Sequence, residues 1–342
     1  MMSALRVAFV THGGPAIGLG HVTRCVALAR AFAAEGAEVR FLVSPDERVV
    51  DLLRHASMIA VEIPWEADPR QAFEALAALG PDIVVVDSYA ASTEFLAALR
   101  SVSGQVVAVD DRADRPFPVH VVVNGGAGAE RLSYRGAPDT VFLLGPRYAL
   151  VDPSYGTVPA RPVKDSVRRV VVTLGGAPDS AALRAAVAAA DASLDDVTID
   201  VALGPFAGAD SELEAVRLRA RNRLVVHRGL ADLRELMLSA DLAIASAGMT
   251  LYELAATATP TVMVAMAENQ APNVDAFERA GAALSGGSAS QPDLGALGSA
   301  VRRLVGDSSL RASLAGRARD LVDGQGASRV AREIASLIPM RR

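Results

Sequence analysis

The sequence is poor in cysteine and lacks long hydrophobic runs. Cys25 is the only cysteine among 342 residues, which excludes an internal disulfide framework and a cysteine-rich zinc site and fits a reducing cytoplasm. The longest apolar runs, such as residues 83–86, are far shorter than the about 18 residues that a membrane-spanning helix needs. The apolar run that ends at Thr11 is too short for a signal peptide and has no small-residue cleavage site. We therefore expect a cytoplasmic protein with no integral membrane segment.

The sequence also lacks the excess of positive charge that is typical of proteins that bind nucleic acid. Lys164 is the only lysine among 34 basic residues, and 39 acidic residues leave a formal net charge of −5. A chain with this charge is not expected to bind nucleic acid through its phosphates. The predominance of arginine, together with much alanine, indicates a GC-rich genome, so the arginine count carries no functional information.

The pattern of apolar residues predicts an α/β fold. Of the chain, 51% is hydrophobic and 4% is aromatic, and apolar runs of strand length alternate with helical patterns from end to end. That alternation is typical of βα units and parallel sheets. At roughly 150 residues per domain, the length corresponds to about two domains.

The opening pattern of strand, glycine turn and helix occurs twice, as RVAFVTHGG at residues 6–14 and as RVVVTLGG at residues 169–176. Residues 148–165 contain three prolines and no clear periodicity, which suits a linker. We predict two Rossmann-like domains facing across a cleft, at residues 1–150 and 166–325. A helix within residues 326–342 is expected to pack back on the N-terminal domain.

The segment GLGHVTR at residues 18–24 lies where a helix is predicted to begin. Gly18 and Gly20 would let the backbone approach a ligand, and a helix N-terminus favours an anion such as a diphosphate. Thr23 replaces the third glycine of a dinucleotide fingerprint, no acidic residue follows the second predicted strand, and a Walker A lysine is absent. The interpretations as an NAD(P) site or an ATP P-loop are therefore excluded.

His21 lies in the first turn of that predicted helix, where the positive end of the helix dipole favours the neutral imidazole. A neutral imidazole suits a general base. The alternative is that His21 merely donates a hydrogen bond to a loop carbonyl, and the position alone leaves both interpretations open.

Ligands of open α/β sheets bind beyond the carboxyl ends of the strands. The polar or glycine residues that follow predicted strands are His12, Asp87, Asp110, Asn124, Gly175, His227, Ser246 and Glu268. Adjacent aspartates such as Asp110 and Asp111 point to opposite sides of an extended chain, so we expect Asp110 or Asp111 to stabilise a loop rather than bind a metal.

Two segments of the second half could contact a nucleotide. Thr250 and Glu253 have the spacing of a capping box, so Glu253 either caps a helix or accepts hydrogen bonds from ribose hydroxyls. Three polar residues in a row, residues 268–270, follow the next predicted strand, and such a run is hard to explain by packing.

Seven segments in a fixed order along nearly the whole chain form a specific combination. They are GLGHVTRCVALA from Gly18, VDSY from Val86, DDRADR from Asp110, LGPRYALV from Leu144, TLGG from Thr173, AGMTLYE from Ala247 and AENQ from Ala267. The combination resembles the PseG/SpsG group, whose best-known members are UDP-sugar hydrolases and which is related to the MurG-like GT-B glycosyltransferases.

The resemblance implies a GT-B fold in which the C-terminal domain holds the nucleotide. Gly175 and Gly176 would then approach the diphosphate, Glu253 the ribose, and the backbone from Arg228 to Leu230 the base. It further implies that no metal is needed and that no cofactor is required beyond the nucleotide diphosphate, UDP in the first instance, carried by the substrate.

The resemblance also implies that His21 acts as base toward water at the anomeric carbon and that Tyr89 contacts the sugar. The hydrolases typically have an arginine and an aspartate after the first strand and VDHY after the third. This chain has THGG at residues 11–14 and VDSY at residues 86–89 instead. A glycosyltransferase that uses a small-molecule acceptor is therefore an alternative, and a nucleotide-sugar binding protein without turnover is a third.

The predicted site has three parts. The candidate catalytic residues are His21, Asp87 and Tyr89. The candidate nucleotide and diphosphate contacts are Gly18, Gly20, Gly175, Gly176, Arg228, Leu230, Ser246, Gly248, Thr250 and Glu253. The candidate sugar contacts are His12, Glu268, Asn269 and Gln270.

Overall fold

The computed structural model describes residues 4–14, 17–159, 161–176, 179–204, 207, 211–230, 232–289 and 294–338. The chain divides into two compact units. Unit 1 comprises Met1–Ser154 together with Gly324–Arg342, and unit 2 comprises Tyr155–Asp323. Each unit contains a parallel β-sheet with helices between its strands, so the predicted α/β class is confirmed.

The central sheet of unit 1 has seven parallel strands in the order β3-β2-β1-β4-β5-β7-β9. The strands of this unit are β1 Arg6–Thr11, β2 Glu38–Val43, β3 Ala60–Glu62, β4 Ile83–Asp87, β5 Gln105–Val109, β6 Pro116–Phe117, β7 Val121–Asn124, β8 Arg135–Gly136 and β9 Val141–Leu144. The short strands β6 and β8 pair with each other. The central strands are runs of β-branched residues because both of their faces are covered, and all five residues of β4 are buried.

The helices before the linker begin at polar caps or glycines. They are α1 Gly20–Ala34, α2 Glu47–His55, α3 Pro69–Leu79 and α4 Thr93–Leu99. The Asp46 carboxylate accepts the backbone N–H of Arg48 and Val49 at the start of α2, and the Ser92 hydroxyl accepts the N–H of Phe95 in α4. Such side chains satisfy backbone donors that a helix leaves unpaired.

Unit 2 contains a six-stranded parallel sheet in the order β12-β11-β10-β13-β14-β15. Its strands are β10 Arg169–Thr173, β11 Thr198–Leu203, β12 Arg223–Arg228, β13 Leu242–Ser246, β14 Thr261–Ala265 and β15 Leu284–Ser288. Its helices are α5 Ser180–Ser193, α6 Ser211–Arg219, α7 Arg234–Ser239, α8 Met249–Ala256, α9 Ala271–Ala280, α10 Leu294–Gly306 and α11 Ser308–Leu321. Apolar side chains of α5 and α10 form one core with β10, β11 and β13.

The last helix, α12 Gly326–Ser336, returns to unit 1. Val330 and Ile334 are fully buried in the same core as the apolar side chains of α1. A side chain at Gly326 would overlap the backbone of Ala149, with a Cβ only 2.2 Å from the Ala149 carbonyl oxygen. Close packing at this glycine therefore fixes where the helix enters.

Much of the segment predicted as a linker is tied to unit 2 by arginine side chains. Arg311 is fully buried and donates to the carbonyl oxygens of Lys164 (2.7 Å) and Asp165 (2.8 Å). Arg161 donates to the carbonyl oxygen of Ala240 (2.9 Å), and Arg319 donates to that of Val158 (2.7 Å). These bonds hold the part of the segment that follows the short 3-10 helix Pro153–Thr157.

Three strands of the main sheets, β3, β9 and β15, lie outside the sequence prediction, and β3 has only three residues. β9 is partly exposed at the edge of its sheet, and β15 has the sequence LSGGS, which lacks the β-branched residues typical of strands. In the described part of the chain, no helix is both long and apolar enough to cross a bilayer.

Candidate active site

The polar residues of unit 1 converge at the point where the strand order of its sheet reverses, between β1 and β4. Open α/β sheets bind ligands at such a point, beyond the carboxyl ends of the strands. Thr11 and Asp87, the last residues of the two strands, are paired in register. The Thr11 hydroxyl donates to the Asp87 carbonyl oxygen (3.0 Å). His12 and Ser88, the residues that follow, therefore lie side by side at this edge of the sheet.

His21 lies against the carboxylate of Asp87. Its Nδ1 is 2.6 Å from Asp87 Oδ1, and the side chains are 7% and 0% exposed. An ionised carboxylate can only accept hydrogen bonds, so Nδ1 carries the proton, and in the neutral imidazole Nε2 keeps its lone pair. The polar ring contacts described for His21 both involve Nδ1, namely the hydrogen bond to Asp87 and a 3.0 Å approach of Arg24 Nη2. Nε2 is therefore the atom that can accept a proton.

Arg24, one turn after His21 on α1, holds Asp87 in its ionised form. Arg24 Nε is 2.6 Å from Oδ2 and Nη2 is 2.6 Å from Oδ1, a bidentate pair. Burial alone would raise the pKa of the Asp87 carboxyl, but the charge of Arg24 and the contact with His21 outweigh it and lower that pKa well below its usual range. Asp87 is therefore a fixed negative charge behind the imidazole.

Asp111 and Tyr89 extend this network to the ring face of His21. Arg24 Nη1 donates to Asp111 Oδ2 (3.0 Å), and the Tyr89 hydroxyl lies 2.8 Å from Asp111 Oδ1. The rings of Tyr89 and His21 meet edge to face, with centroids 4.6 Å apart. Burial and the Asp111 charge raise the pKa of the Tyr89 phenol above its usual value. Tyr89 therefore remains a protonated donor, and the imidazole is held on two sides.

The glycine turn before α1 determines the position of His21. Gly14 and Gly18 exchange two backbone hydrogen bonds of 3.1 and 2.7 Å, and Gly18 has a φ of +82°, in the region that favours glycine. A Cβ at Gly13 would lie only 3.0 Å from a Val49 methyl group and 3.1 Å from a Val22 methyl group. The turn therefore packs directly on α1 and α2.

A second imidazole in unit 1 is also backed by a carboxylate. His12 Nδ1 contacts Glu66 Oε1, and Ser44 donates to the other oxygen of Glu66 (2.6 Å). The His12 and His21 rings meet edge to face with centroids 5.1 Å apart. The predicted site residues His12, His21, Asp87 and Tyr89 thus lie together.

In unit 2, the predicted glycine turn lies at the corresponding reversal of strand order, between β10 and β13. Gly175 has a φ of +93°, and a Cβ there would lie 3.6 Å from the Ser246 hydroxyl oxygen. A Cβ at Gly204, after β11, would overlap the Gly176 backbone at 2.4 Å. The turn is therefore held in place by close backbone packing. Residues 177 and 178, which follow the two glycines, lie outside the described residues.

The predicted capping box of α8 is wrong. The helix begins at Met249, with Gly248 as its N-cap and no capping side chain, so Thr250 lies inside the helix. A Cβ at Gly248 would lie 3.4 Å from the Gln270 amide nitrogen, which is an ordinary contact distance.

The AENQ segment forms a short 3-10 turn at Glu268–Gln270. The side chains of Glu268 and Asn269 are exposed. The Gln270 Oε1 accepts the backbone N–H of Met266 (2.9 Å), which is a loop-forming role. Arg228 ends β12 at the edge of the sheet, and Leu230 follows it with 44% of its surface exposed.

Of two other predictions, the one for His227 differs in detail, and the loop-stabilising role of Asp110 or Asp111 is confirmed for Asp110. His227 lies within β12 rather than beyond it, and its Nε2 contacts the buried Asp200 carboxylate at 2.7 Å. Asp110 accepts the backbone N–H of Arg112 and Ala113 as a loop-stabilising residue should. Asp111 does not share that role, since it binds Arg24 and Tyr89.

Sequence reasoning did not single out Arg24 or Glu66 as site residues. Arg24 is three residues after His21 and therefore on the same helix face, which is a signal that could have found it. Glu66 follows a three-residue strand that the sequence pattern does not reveal. Among the described residues, no group of three or more histidine, cysteine, aspartate or glutamate side chains is arranged to hold a metal ion.

No protein-family profile matches the chain. The spore coat polysaccharide biosynthesis protein SpsG of Bacillus subtilis is 26% identical over 335 residues, which cover 95% of this chain and 96% of SpsG. The uncharacterized protein MJ1062 of Methanocaldococcus jannaschii is 24% identical over 282 residues, 78% of this chain. The match spans 57% of the length of that relative.

Solved structures with the same fold include several glycosyltransferases and a putative UDP-N-acetylglucosamine 2-epimerase of Listeria monocytogenes. MurG of Acinetobacter baumannii has a TM-score of 0.68 at 18% identity, over 97% of this chain and 100% of that one. The spinosyn rhamnosyltransferase SpnG, complexed with thymidine diphosphate, has a TM-score of 0.61 at 17% identity, over 97% and 100% of the two chains. At these identities the likeness concerns the fold.

The fold is therefore the two-domain GT-B fold. The similarity to SpsG confirms the resemblance to the SpsG/PseG-like group that the sequence segments indicate.

Proposed function

We propose that this protein cleaves the anomeric C–O bond of a nucleotide diphosphate sugar, UDP-linked in the first instance, with His21 as the general base and water as the nucleophile. The observation that carries the proposal is the buried pair of His21 and Asp87. It leaves one imidazole nitrogen with a lone pair and places a permanent negative charge behind the ring.

The chemical step needs one proton acceptor and a stabilised leaving group. The proton of the attacking O–H passes to His21 Nε2 while the oxygen forms a bond to the anomeric carbon. The electrons of the breaking C–O bond go to the diphosphate oxygen. The Asp87 carboxylate then stabilises the imidazolium and remains ionised itself, because Arg24 also binds it.

We assign the nucleotide to unit 2. The backbone at Gly175 and Gly176, with Ser246, Gly248 and Thr250, would contact the diphosphate, because glycine turns let backbone N–H groups approach phosphate closely. Glu253 would accept from the ribose hydroxyls, and the segment from Arg228 to Leu230 would contact the base. The exposed Glu268 and Asn269, with Gln270, would contact the sugar and the diphosphate.

In unit 1, the helix N-terminus at Gly18 and Gly20 would favour negative charge near the imidazole, and Tyr89 would contact the sugar. No metal or other cofactor enters this mechanism. The proton transfer uses an imidazole, and leaving-group charge is stabilised by backbone N–H groups.

A glycosyltransferase is the second candidate. The same imidazole would deprotonate a hydroxyl of a small acceptor instead of water, and the similarity of the fold to MurG and SpnG favours this candidate. A nucleotide-sugar binding protein without turnover is the third, and the His21 and Asp87 pair argues against it because binding alone does not need a polarised base.

Incubation with a panel of nucleotide sugars, with and without hydroxyl acceptors, tests the proposal. Nucleotide diphosphate release is followed by chromatography. Release in water supports the hydrolase, and release that requires an acceptor supports the transferase. Binding without release under either condition would contradict both enzymatic candidates.

A further inference from the structure

The second imidazole, His12, has an unused nitrogen in the interior of unit 1. The residue is 3% exposed, and its described contacts with Glu66 and Ser88 both involve Nδ1. Its Nε2 is buried and has no hydrogen-bond partner among the described residues. Leaving a buried polar atom unpaired costs free energy, so such an atom in a polar site indicates a missing partner.

The surroundings of His12 form a built site. Trp65 is 1% exposed, its indole N–H donates to the Thr11 carbonyl oxygen (3.1 Å), and its ring stacks on Phe95 with centroids 5.6 Å apart. Trp65 thereby positions the next residue, Glu66, against His12. Both the strand end that carries His12 and the loop that carries its carboxylate are therefore held by packing.

The hydrogen bond that Glu66 makes with Nδ1 of His12 determines what the unpaired Nε2 can bind. Nδ1–H donates to Glu66, so in the neutral imidazole Nε2 presents a lone pair and can only accept a hydrogen bond. An anion without a proton has nothing to donate to this lone pair. The partner of Nε2 is therefore a hydrogen-bond donor such as a hydroxyl group.

We propose that His12, positioned by Glu66, is a hydroxyl-binding residue that recognises a sugar hydroxyl beside the catalytic base. The ring centroids of His12 and His21 are 5.1 Å apart, so a ligand that reaches His12 also lies beside the base. The inference rests on the proposed function only in taking the reacting molecule to be a sugar. The hydroxyl belongs either to the transferred sugar or to a sugar acceptor, and the experiment separates these sources.

Nitrogen NMR of histidine-labelled protein tests the inference without requiring turnover. At neutral pH, His12 should carry its proton on Nδ1, and its Nε2 resonance should shift when a sugar-bearing probe binds. The probes are UDP, a panel of UDP-hexoses, and the free hexoses added in the presence of UDP. A shift with UDP-hexoses identifies the transferred sugar as the source, and a shift with free hexoses identifies an acceptor.

The outcomes separate this inference from the proposed function. If UDP binds but no sugar-bearing probe shifts His12 Nε2, the hydroxyl-binding role is wrong while the nucleotide assignment stands. If UDP fails to bind but a free hexose shifts Nε2, the hydroxyl site stands and the nucleotide assignment is wrong. A proton on Nε2 in the unliganded protein would also overturn the inference.

Kinetics of His12→Phe, which keeps a ring of similar size, give a second readout. One lost hydrogen bond should raise the KM for the sugar substrate about tenfold, with kcat changed less than about threefold. A substrate deoxygenated at the recognised hydroxyl should show the same KM with wild type and variant. His55→Phe, at an exposed position of α2, is the matched control and should change neither constant.

If His12→Phe does not fold, Glu66→Gln is the variant to use, because it keeps the His12 ring and its packing. It removes the charge that selects the Nδ1 proton, so part of the population should carry the proton on Nε2, and the KM should lie between those of wild type and a variant without the imidazole. An unchanged proton position and an unchanged KM in Glu66→Gln would show that the carboxylate does not position His12 for binding.

Discussion

Asp87 Oδ1 lies 2.6 Å from Nδ1 of His21, although the two residues are 66 positions apart in the chain. The carboxylate is fully buried at the end of β4, and the imidazole lies in the first turn of α1. The same carboxylate accepts a bidentate pair from Arg24. A buried carboxylate with this many donors is a strong acceptor that selects one tautomer of the histidine.

His21→Ala should reduce turnover by a factor on the order of 10² or more, because the variant has no base at the nucleophile. UDP binding, measured by calorimetry, should be unchanged, since the nucleotide is assigned to unit 2. His55→Ala provides the control for loss of an exposed imidazole. Full activity in His21→Ala would remove this residue from the mechanism.

Asp87→Asn should flatten the acid dependence of stability. The pKa of Asp87 is lowered in the folded protein, so its contribution is fully present above the unfolded value of about 3.9 and is lost as pH falls below it toward the folded pKa. The free energy of unfolding of wild type should therefore decline more steeply below about pH 4 than that of the variant. Urea unfolding across this range measures both curves, and parallel curves would contradict the assignment.

Arg24→Met should destabilise unit 1 strongly, by about 3–5 kcal/mol, because it leaves the buried Asp87 charge without its main partner. The double variant Arg24→Met with Asp87→Asn removes the charge as well and should be more stable than Arg24→Met alone. Denaturant unfolding measures the difference. Equal stability of the single and double variants would mean that Arg24 does not compensate the charge of Asp87.

Gly175→Ala should weaken UDP binding. Its φ of +93° is strained for a residue with a Cβ, by about 1–2 kcal/mol, so the turn that is assigned to the diphosphate must shift. Gly36→Ala is a matched control, because Gly36 has a φ of +84° and open space around its Cβ position in unit 1. Calorimetry should detect weaker binding in the first variant only, and equal affinities would place the diphosphate elsewhere.

EDTA should leave the rate of nucleotide release unchanged, because the proposed steps use an imidazole and backbone donors. Asp110 is committed to two backbone N–H groups and Asp111 to Arg24 and Tyr89. Strong inhibition by EDTA that is reversed by added Mg²⁺ would return these two aspartates to consideration as metal ligands.

Much of the site could be predicted from sequence because it depends on local order. A residue at the carboxyl end of a strand in a parallel sheet lies at the ligand-binding edge, independently of the strand order. This rule identified Asp87, His12 and Ser246 as candidate site residues. The capping box failed because α8 begins at Met249, with Gly248 as its N-cap and no capping side chain, so Thr250 lies inside the helix. The spacing of Thr250 and Glu253 also fits a helix interior, and spacing alone therefore does not identify the first residue of a helix.

The sequence by itself determined the α/β class, the repeated glycine turns and the two groups of candidate residues, because apolar periodicity and strand ends are local properties. Only the tertiary structure decided which carboxylate serves which histidine. Asp87 binds His21 while Glu66 binds His12, since β1 and β4 are adjacent and the loop after β3 is anchored by Trp65. Pairings of this kind depend on strand order and packing, which a sequence pattern does not specify.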